Sequence, residues 1–161
     1  FISNVTQLYD SYTSSHGYWE GASKIFGDIA ISCGSHLASE VISKQQNSLW
    51  RYHFTRVAEG PNSYLNATHM TELSYVFQHE HLFLNYTFDE DDYNLASVMV
   101  EYWKNMAKNG SPNKGEIPWS PFSDDREVIE FDVPLKMTNL KQNIWDYCNF
   151  WDTVLSTLDY E

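Results

Sequence analysis

The stretch Thr68-His69-Met70-Thr71-Glu72-Leu73-Ser74-Tyr75-Val76-Phe77 sets one histidine just ahead of an apolar run, with a glutamate three residues later. An imidazole can take up and release a proton near neutral pH. To act as a general base it needs a nucleophile within hydrogen-bond reach and an acid that orients its second nitrogen. A lone histidine before a helix is also the ordinary pattern of a structural or exposed residue, so spacing alone leaves both readings open. Glu72 is a poor orienting acid, because three residues from His69 in a turn it would struggle to reach the far ring nitrogen. No Gly-x-Ser-x-Gly nucleophile elbow occurs in the chain. Gly34-Ser35 lacks the second glycine and falls inside a predicted helix. His79-Glu80-His81 places alternate imidazoles on one side of an extended segment, but no third ligand stands at a diagnostic spacing. A solvated loop is expected there, and no metal. His16, His36 and His53 carry no motif, and ordinary packing or exposure is expected of them.

The elements that position these residues follow from apolar periodicity. Gly21 to Gln46 reads as helix, since Ile25, Ile29, Leu37, Val41 and Ile42 recur at near-helical spacing, with Asp28 as a candidate cap. Leu49 to Val57 reads as strand: Trp50, Tyr52 and Phe54 alternate with Arg51, His53 and Thr55 until Glu59-Gly60-Pro61-Asn62-Ser63 breaks the run. The loop bearing His69 leads into a short helical turn through Tyr75 and Phe77. Asp89 to Asn109 is the firmest helix, with acids at its start, Gly110 and Pro112 at its end, and a stripe of Leu95, Met99, Tyr102, Trp103 and Met106. Trp119-Ser120-Pro121-Phe122 is a turn, and Val128–Asp132 a short edge strand. A final helix is expected from about Asn139 to Leu158, burying Ile144, Tyr147, Trp151, Val154, Leu155 and Leu158. A strand such as Leu49–Val57 needs neighbours on both edges, and in a layered α/β protein these are parallel strands. Those partners are expected from another chain.

Composition narrows the function class. A net charge of -12 argues against nucleic-acid binding, which requires a basic footprint. Acidity of this size keeps a protein soluble, and could steer cationic ligands. Six Trp and eleven Tyr among 161 residues provide ample apolar surface for a core. The chain starts at Phe1 without Met, signal peptide or transmembrane stretch, and reads as a piece of something larger. Cys33 and Cys148 lie too far apart for a CxxC redox or zinc motif, and a bridge or two buried thiols both remain open. Glycosylation sequons at Asn4, Asn66, Asn85 and Asn109 tilt the balance towards the secretory pathway. Asn4 and Asn85, near predicted element ends, are the better acceptors. A glycan on Asn66 would sit close to His69, and Pro112 follows the Asn109 sequon.

The His69 stretch is followed about thirty residues on by Tyr102-Trp103-Lys104-Asn105-Met106-Ala107-Lys108-Asn109-Gly110-Ser111-Pro112-Asn113. Together they resemble the C-terminal third of the type-B carboxylesterase/lipase family, the α/β-hydrolases that include the cholinesterases. Trp119-Ser120-Pro121-Phe122 is similar to the family's Trp-Pro-x-(Tyr/Phe) element, and the likeness covers nearly all of Leu8 to Leu158. The resemblance implies an α/β fold. Residues 1–161 would be the C-terminal part of a single α/β-hydrolase domain, its last sheet strands and closing helices, completed by another chain. It implies that His69 is the triad base and Glu72 part of the support behind the site. The serine and the triad acid would then lie on the N-terminal chain of the same precursor. An ester would be the substrate, and no cofactor is needed. Gly27-Asp28-Ile29-Ala30-Ile31-Ser32-Cys33 and Cys148-Asn149-Phe150-Trp151 match the two ends of a disulfide in cholinesterase-like members, which implies a Cys33–Cys148 bridge and a secreted or extracellular protein. One departure stands out: many relatives have Val-Phe-Gly where this chain has Val76-Phe77-Gln78, so the loop after the histidine helix is expected to differ. A different class of function also fits the resemblance, a non-catalytic cholinesterase-like module for adhesion, storage or hormone-precursor roles.

Overall fold

The computed structural model describes residues 1–45, 49–113, 117–123, 125–139 and 142–157. In chain order the helices are α1 (Ile2–His16), α2 (Tyr18–Gly27), α3 (Cys33–Gln45), α4 (Glu72–Val76), α5 (Glu90–Asn109) and α6 (Gln142–Ser156). The strands are β1 (Tyr52–Phe54), β2 (Glu127–Phe131) and β3 (Lys136–Asn139). A π-helical turn, Asp28–Ser32, joins α2 to α3, and a 3-10 turn, Ser63–Leu65, precedes α4. The chain forms two compact units, one from residues 1–45 and 141–161 and the other from residues 46–140.

The helical unit is built on aromatic packing and one disulfide. Gly17, at φ 92, reverses the chain between α1 and α2, and its N–H donates to Thr13 O at 2.8 Å. At Gly21 the two helices meet so closely that a Cβ would lie 2.3 Å from Thr13 Oγ1, so only glycine fits. Tyr9, Cys33, Cys148 and Trp151 form the buried centre. Tyr9 donates its hydroxyl to Asp28 Oδ2 at 2.9 Å, and the Trp151 indole N–H donates to that hydroxyl at 2.8 Å. Lys24 Nζ neutralises Asp28 from 3.0 Å. Burial, with the neighbouring Asp28 carboxylate, pushes the Tyr9 hydroxyl far above the ordinary tyrosine pKa.

The helical unit departs from the sequence-based expectations in several places. The first predicted helix is two helices joined by a π turn, it begins at Tyr18, and a separate α1 precedes it. Asp28 is no cap: it sits inside continuous helical backbone at φ -64 and ψ -47, with its carboxylate committed to Tyr9 and Lys24. The predicted apolar stripe is largely uncovered, since Ile29, Leu37, Val41 and Ile42 are all exposed, while Cys33, His36 and Ser39 are the buried residues of α3. The final helix begins at Gln142 because Asn139 is taken up in β3, and Leu155 is exposed. Gln46 and Leu158 lie outside the described residues.

In the second unit the sheet order is β1-β2-β3. β1 runs parallel to β2 with Tyr52 opposite Ile129 and Phe54 opposite Phe131, and β2 runs antiparallel to β3 with Glu127 opposite Asn139. The sequence reading has Val128–Asp132 as a short edge strand. β2 is instead the central strand. Successive strand residues point to opposite faces, and Val128 and Ile129 are both fully buried, so this sheet is covered on both sides at that point. One parallel neighbour of β1 thus comes from this chain itself and not from another. The β1 strand is also shorter than expected, three residues within Leu49–Val57.

α5 matches its expectation closely. Asp89 caps it: Asp92 N donates to Asp89 Oδ1 at 2.9 Å while Asp89 N donates to Asp92 Oδ2 at 3.1 Å, a reciprocal capping box. Gly110 closes the helix in the left-handed conformation at φ 67. Its buried face, Leu95, Ala96, Met99 and Tyr102, joins Tyr75, Tyr86, Phe88, Trp119, Ile129 and Phe131 in the core of this unit.

Candidate active site

His69 lies in a four-residue turn whose two ends are pinned. Thr71 N and Thr71 Oγ1 both donate to Thr68 O, at 3.2 and 2.8 Å, and Thr71 itself is buried. Met70 takes φ 76, the left-handed backbone that the third position of a type II turn requires and that a methionine adopts only under constraint. Leu73 N then donates to Met70 O at 3.1 Å and starts α4. The turn holds its own shape while the His69 side chain is exposed. Among the described residues no side chain hydrogen-bonds the His69 ring.

Glu72 is the first residue of α4 and half-buried. The Tyr52 hydroxyl has its pKa raised by burial and, secondarily, by the negative charge of Glu72. α4 closes on the departure from the family pattern. Gln78 takes φ 51, its N–H donates to Tyr75 O at 3.1 Å, and His79 N donates to Ser74 O at 2.8 Å. These are the two bonds of a Schellman cap, with Gln78 in the place that glycine fills without strain. The backbone at this point keeps a glycine-type conformation although the residue does not.

Behind the turn lies a buried polar network that sequence reasoning did not single out. The Tyr75 hydroxyl donates to Asp92 Oδ1 at 2.7 Å, and Arg56 Nε donates to the same oxygen at 2.7 Å. Arg56 also reaches Asp89 at 3.3 Å, and its backbone N–H donates to Phe131 O on β2 at 3.2 Å. Burial alone would raise the Asp92 pKa, but the bonds from Arg56, the Asp89 N–H and Tyr75 outweigh it and hold the carboxyl below the ordinary range. Burial and the adjacent Asp92 carboxylate push the Tyr75 hydroxyl far above its usual pKa. The spacing of Asp89 and Asp92 before an apolar stripe was a visible signal of a capping box. The involvement of Arg56, well upstream, had no local signal.

The other nominated residues separate in space or role. Glu80 is a loop clasp, accepting from Phe88 N and from the Tyr93 hydroxyl, each at 3.1 Å, with His81 Nε2 at 3.2 Å. The Phe88 N–H is the main reason its carboxyl titrates below the usual range. Among the described residues no three His, Cys, Asp or Glu side chains group as a metal site. His16 stacks on Tyr12, His36 is buried in α3, and His53 is exposed on β1. Ser35 lies inside α3 and is no elbow. Cys33 and Cys148 are disulfide-bonded and join the start of α3 to α6. Asn4, Asn66, Asn85 and Asn109 are all exposed, Asn66 and Asn85 in left-handed turns at φ 57 and 55. Among the described residues no helix is long and apolar enough to cross a membrane.

Comparison with known proteins places this arrangement. The sequence signature of the Carboxylesterase family matches residues 3–151. A medium-chain fatty acyl-CoA hydrolase precursor of Anas platyrhynchos is 32% identical over 74 residues, 45% of this chain and 13% of that protein. The fumonisin B1 esterase of Sphingopyxis macrogoltabida is 30% identical over 116 residues, 67% of this chain and 21% of the esterase. The crystal structure of Aspergillus niger EstA superposes with a TM-score of 0.75 at 18% identity, covering 96% of this chain and 32% of EstA. The chain thus spans a minor part of the length of each relative. By its match over residues 3–151 it belongs to the carboxylesterase family, and its fold is the C-terminal part of an α/β-hydrolase.

Proposed function

We propose that this chain is the C-terminal part of a serine carboxylic-ester hydrolase and that His69 is the general base. The observation that carries the reading is the family match over residues 3–151, which includes a histidine presented on a pinned turn with its ring exposed. The two relatives described above are named a hydrolase and an esterase, and a carboxylic ester is the substrate class we assign. The nucleophilic serine, in a Gly-x-Ser-x-Gly elbow, and the triad acid belong to the N-terminal chain of the same precursor. That chain also covers the exposed apolar positions of α3 and extends the sheet beyond β1. In the reaction, His69 takes the serine proton as the hydroxyl attacks the ester carbonyl. The tetrahedral oxyanion is held by backbone N–H groups, and the proton passes from His69 to the leaving alcohol as the acyl-enzyme forms. Water, deprotonated by the same imidazole, then releases the acid. Glu72 sits behind the base and handles no proton.

The Cys33–Cys148 bridge and the exposed sequons support a protein of the secretory pathway, with Asn4 and Asn85 the preferred glycan acceptors. The decisive experiment uses the full-length protein with its N-terminal part, produced by secretion and checked by glycopeptide mapping. His69→Ala is expected to lower kcat on a short-chain p-nitrophenyl ester by about 10⁴-fold or more, with folding intact. Glu72→Gln should cost far less. An organophosphonate should label the companion serine in the wild type. Full activity in His69→Ala rules out this base. A wild-type protein that neither hydrolyses esters nor takes the label is instead the non-catalytic cholinesterase-like module.

A further inference from the structure

The turn bearing His69 runs directly into α4, which is only five residues long. A helix this short has no stability of its own, so something outside it must fix its position. Among the described residues one polar tether of an α4 side chain is directed into the interior of its unit, that of Tyr75. Tyr75 is fully buried, with its ring packed between Phe54 at 5.0 Å and Phe88 at 4.5 Å. Those ring contacts would hold a phenylalanine equally well. The hydroxyl adds direction: it ends on Asp92 Oδ1 at 2.7 Å, on the carboxylate that caps α5 and that Arg56 neutralises. Arg56 is in turn fastened to the sheet through its N–H on Phe131 O. Thr71 and Tyr75, four residues apart and both buried, share one face of the α4 segment, and Thr71 holds the Thr68 carbonyl that closes the turn. Hydrogen bonds from the sheet through Arg56 and Asp92 to Tyr75, and the α4 backbone from Tyr75 to Thr71, therefore link the sheet to the segment two residues from His69.

We infer that Tyr75, through its hydroxyl on the Asp92–Arg56 pair, is a positioning residue that sets the His69 turn at a fixed distance from the sheet. The inference rests on the reading of His69 as the base. A base must meet its nucleophile to within a fraction of an ångström, and misplacement by about 1 Å costs up to about 100-fold in rate. A tether ending on a buried ion pair supplies that precision, whereas apolar packing alone lets a short helix slide.

The test is Tyr75→Phe in the full-length protein. The ring packing is retained and Asp92 keeps Arg56 and the Asp89 N–H, so the variant should fold. Active sites are counted by the endpoint of organophosphonate labelling, and kcat is expressed per labelled site. The expected result is a loss of about ten-fold in kcat per active site with KM within about two-fold of wild type. Asp92→Asn should shift kcat in the same direction. Gly110→Ala, which weakens the far end of α5, should leave kcat per active site unchanged, because stability without positioning changes only the number of active molecules. A Tyr75→Phe protein with wild-type kcat per site overturns the positioning role. His69→Ala separates the two levels: if that variant keeps full activity the base assignment fails, and if it is dead while Tyr75→Phe is normal only the positioning role fails.

Discussion

Asp92 illustrates how one carboxylate can serve a helix cap and an ion pair at once. It is 1% exposed, accepts three hydrogen bonds, and is stabilised as the anion despite its burial. Its pKa in the folded protein is depressed, so the stability it contributes is complete above the unfolded value of about 3.9 and is lost as pH falls below that. Asp92→Asn leaves Arg56 without its buried anion, and at pH 6 should cost about 3 kcal/mol of unfolding free energy. That gap between wild type and variant should hold down to about 3.9 and shrink only below it, as the depressed folded-state pKa is approached and protonation removes the same charge. Denaturant titration of the full-length protein at several pH values measures it. A gap that does not change with pH means that the ion pair is not the source of the stability. Legibility differs sharply among these residues. His69 was visible because its flanking motifs are local in sequence. The Arg56–Asp92 pairing was hidden because it joins the end of a strand to the start of a helix through space.

Among the elements, those with strong end signals were read best. α5 has a capping box, a periodic stripe and a left-handed glycine, and its predicted and observed limits agree to a residue. α1 was missed, since Ile2–His16 is mostly polar and buries Tyr9 alone. β3 was missed for a similar reason: Lys136–Asn139 is short, half-exposed and defined by pairing with β2. The α4 cap yields a direct test. Gln78 occupies a left-handed position with φ 51 and an exposed side chain, a conformation that costs a residue with a Cβ about 1 kcal/mol or more. Gln78→Gly should therefore raise stability by about 0.5–1 kcal/mol, the gain being trimmed by the greater unfolded-state freedom of glycine. Chemical denaturation of the two proteins compares them, and a loss of stability would show that Gln78 makes a contact worth more than the strain.

At the scale of the whole molecule the surface is the telling feature. Trp19 is 70% exposed and Phe26 72%, and Leu37, Val41, Tyr64 and Phe77 are also open. Each of the two units thus leaves large apolar and aromatic side chains uncovered. The disulfide closes 115 residues of chain, which on the chain-entropy argument stabilises by about 4–5 kcal/mol, but it cannot cover that surface. Phe1–Glu161 expressed alone is accordingly expected to aggregate or to unfold without a sharp transition. Thermal unfolding with light scattering decides it. A soluble monomer with a cooperative melt would show that the chain is an independent domain and would count against the need for a companion.

Sequence by itself determined what depends on neighbours along the chain. The His69 turn, the α4 and α5 segments, the acidic net charge and the family likeness all rest on local motifs, caps and composition. Tertiary structure decided what depends on partners far apart in the chain. It made β2 central, because burial of Val128 and Ile129 on opposite faces needs cover on both sides. It turned Asp28 from a cap into the acceptor for Tyr9, and joined Arg56, Tyr75 and Asp92 behind the histidine. Hydrogen bonds and ion pairs between distant residues leave no periodic trace in a sequence, since each depends on where the backbone returns and not on the spacing of its partners.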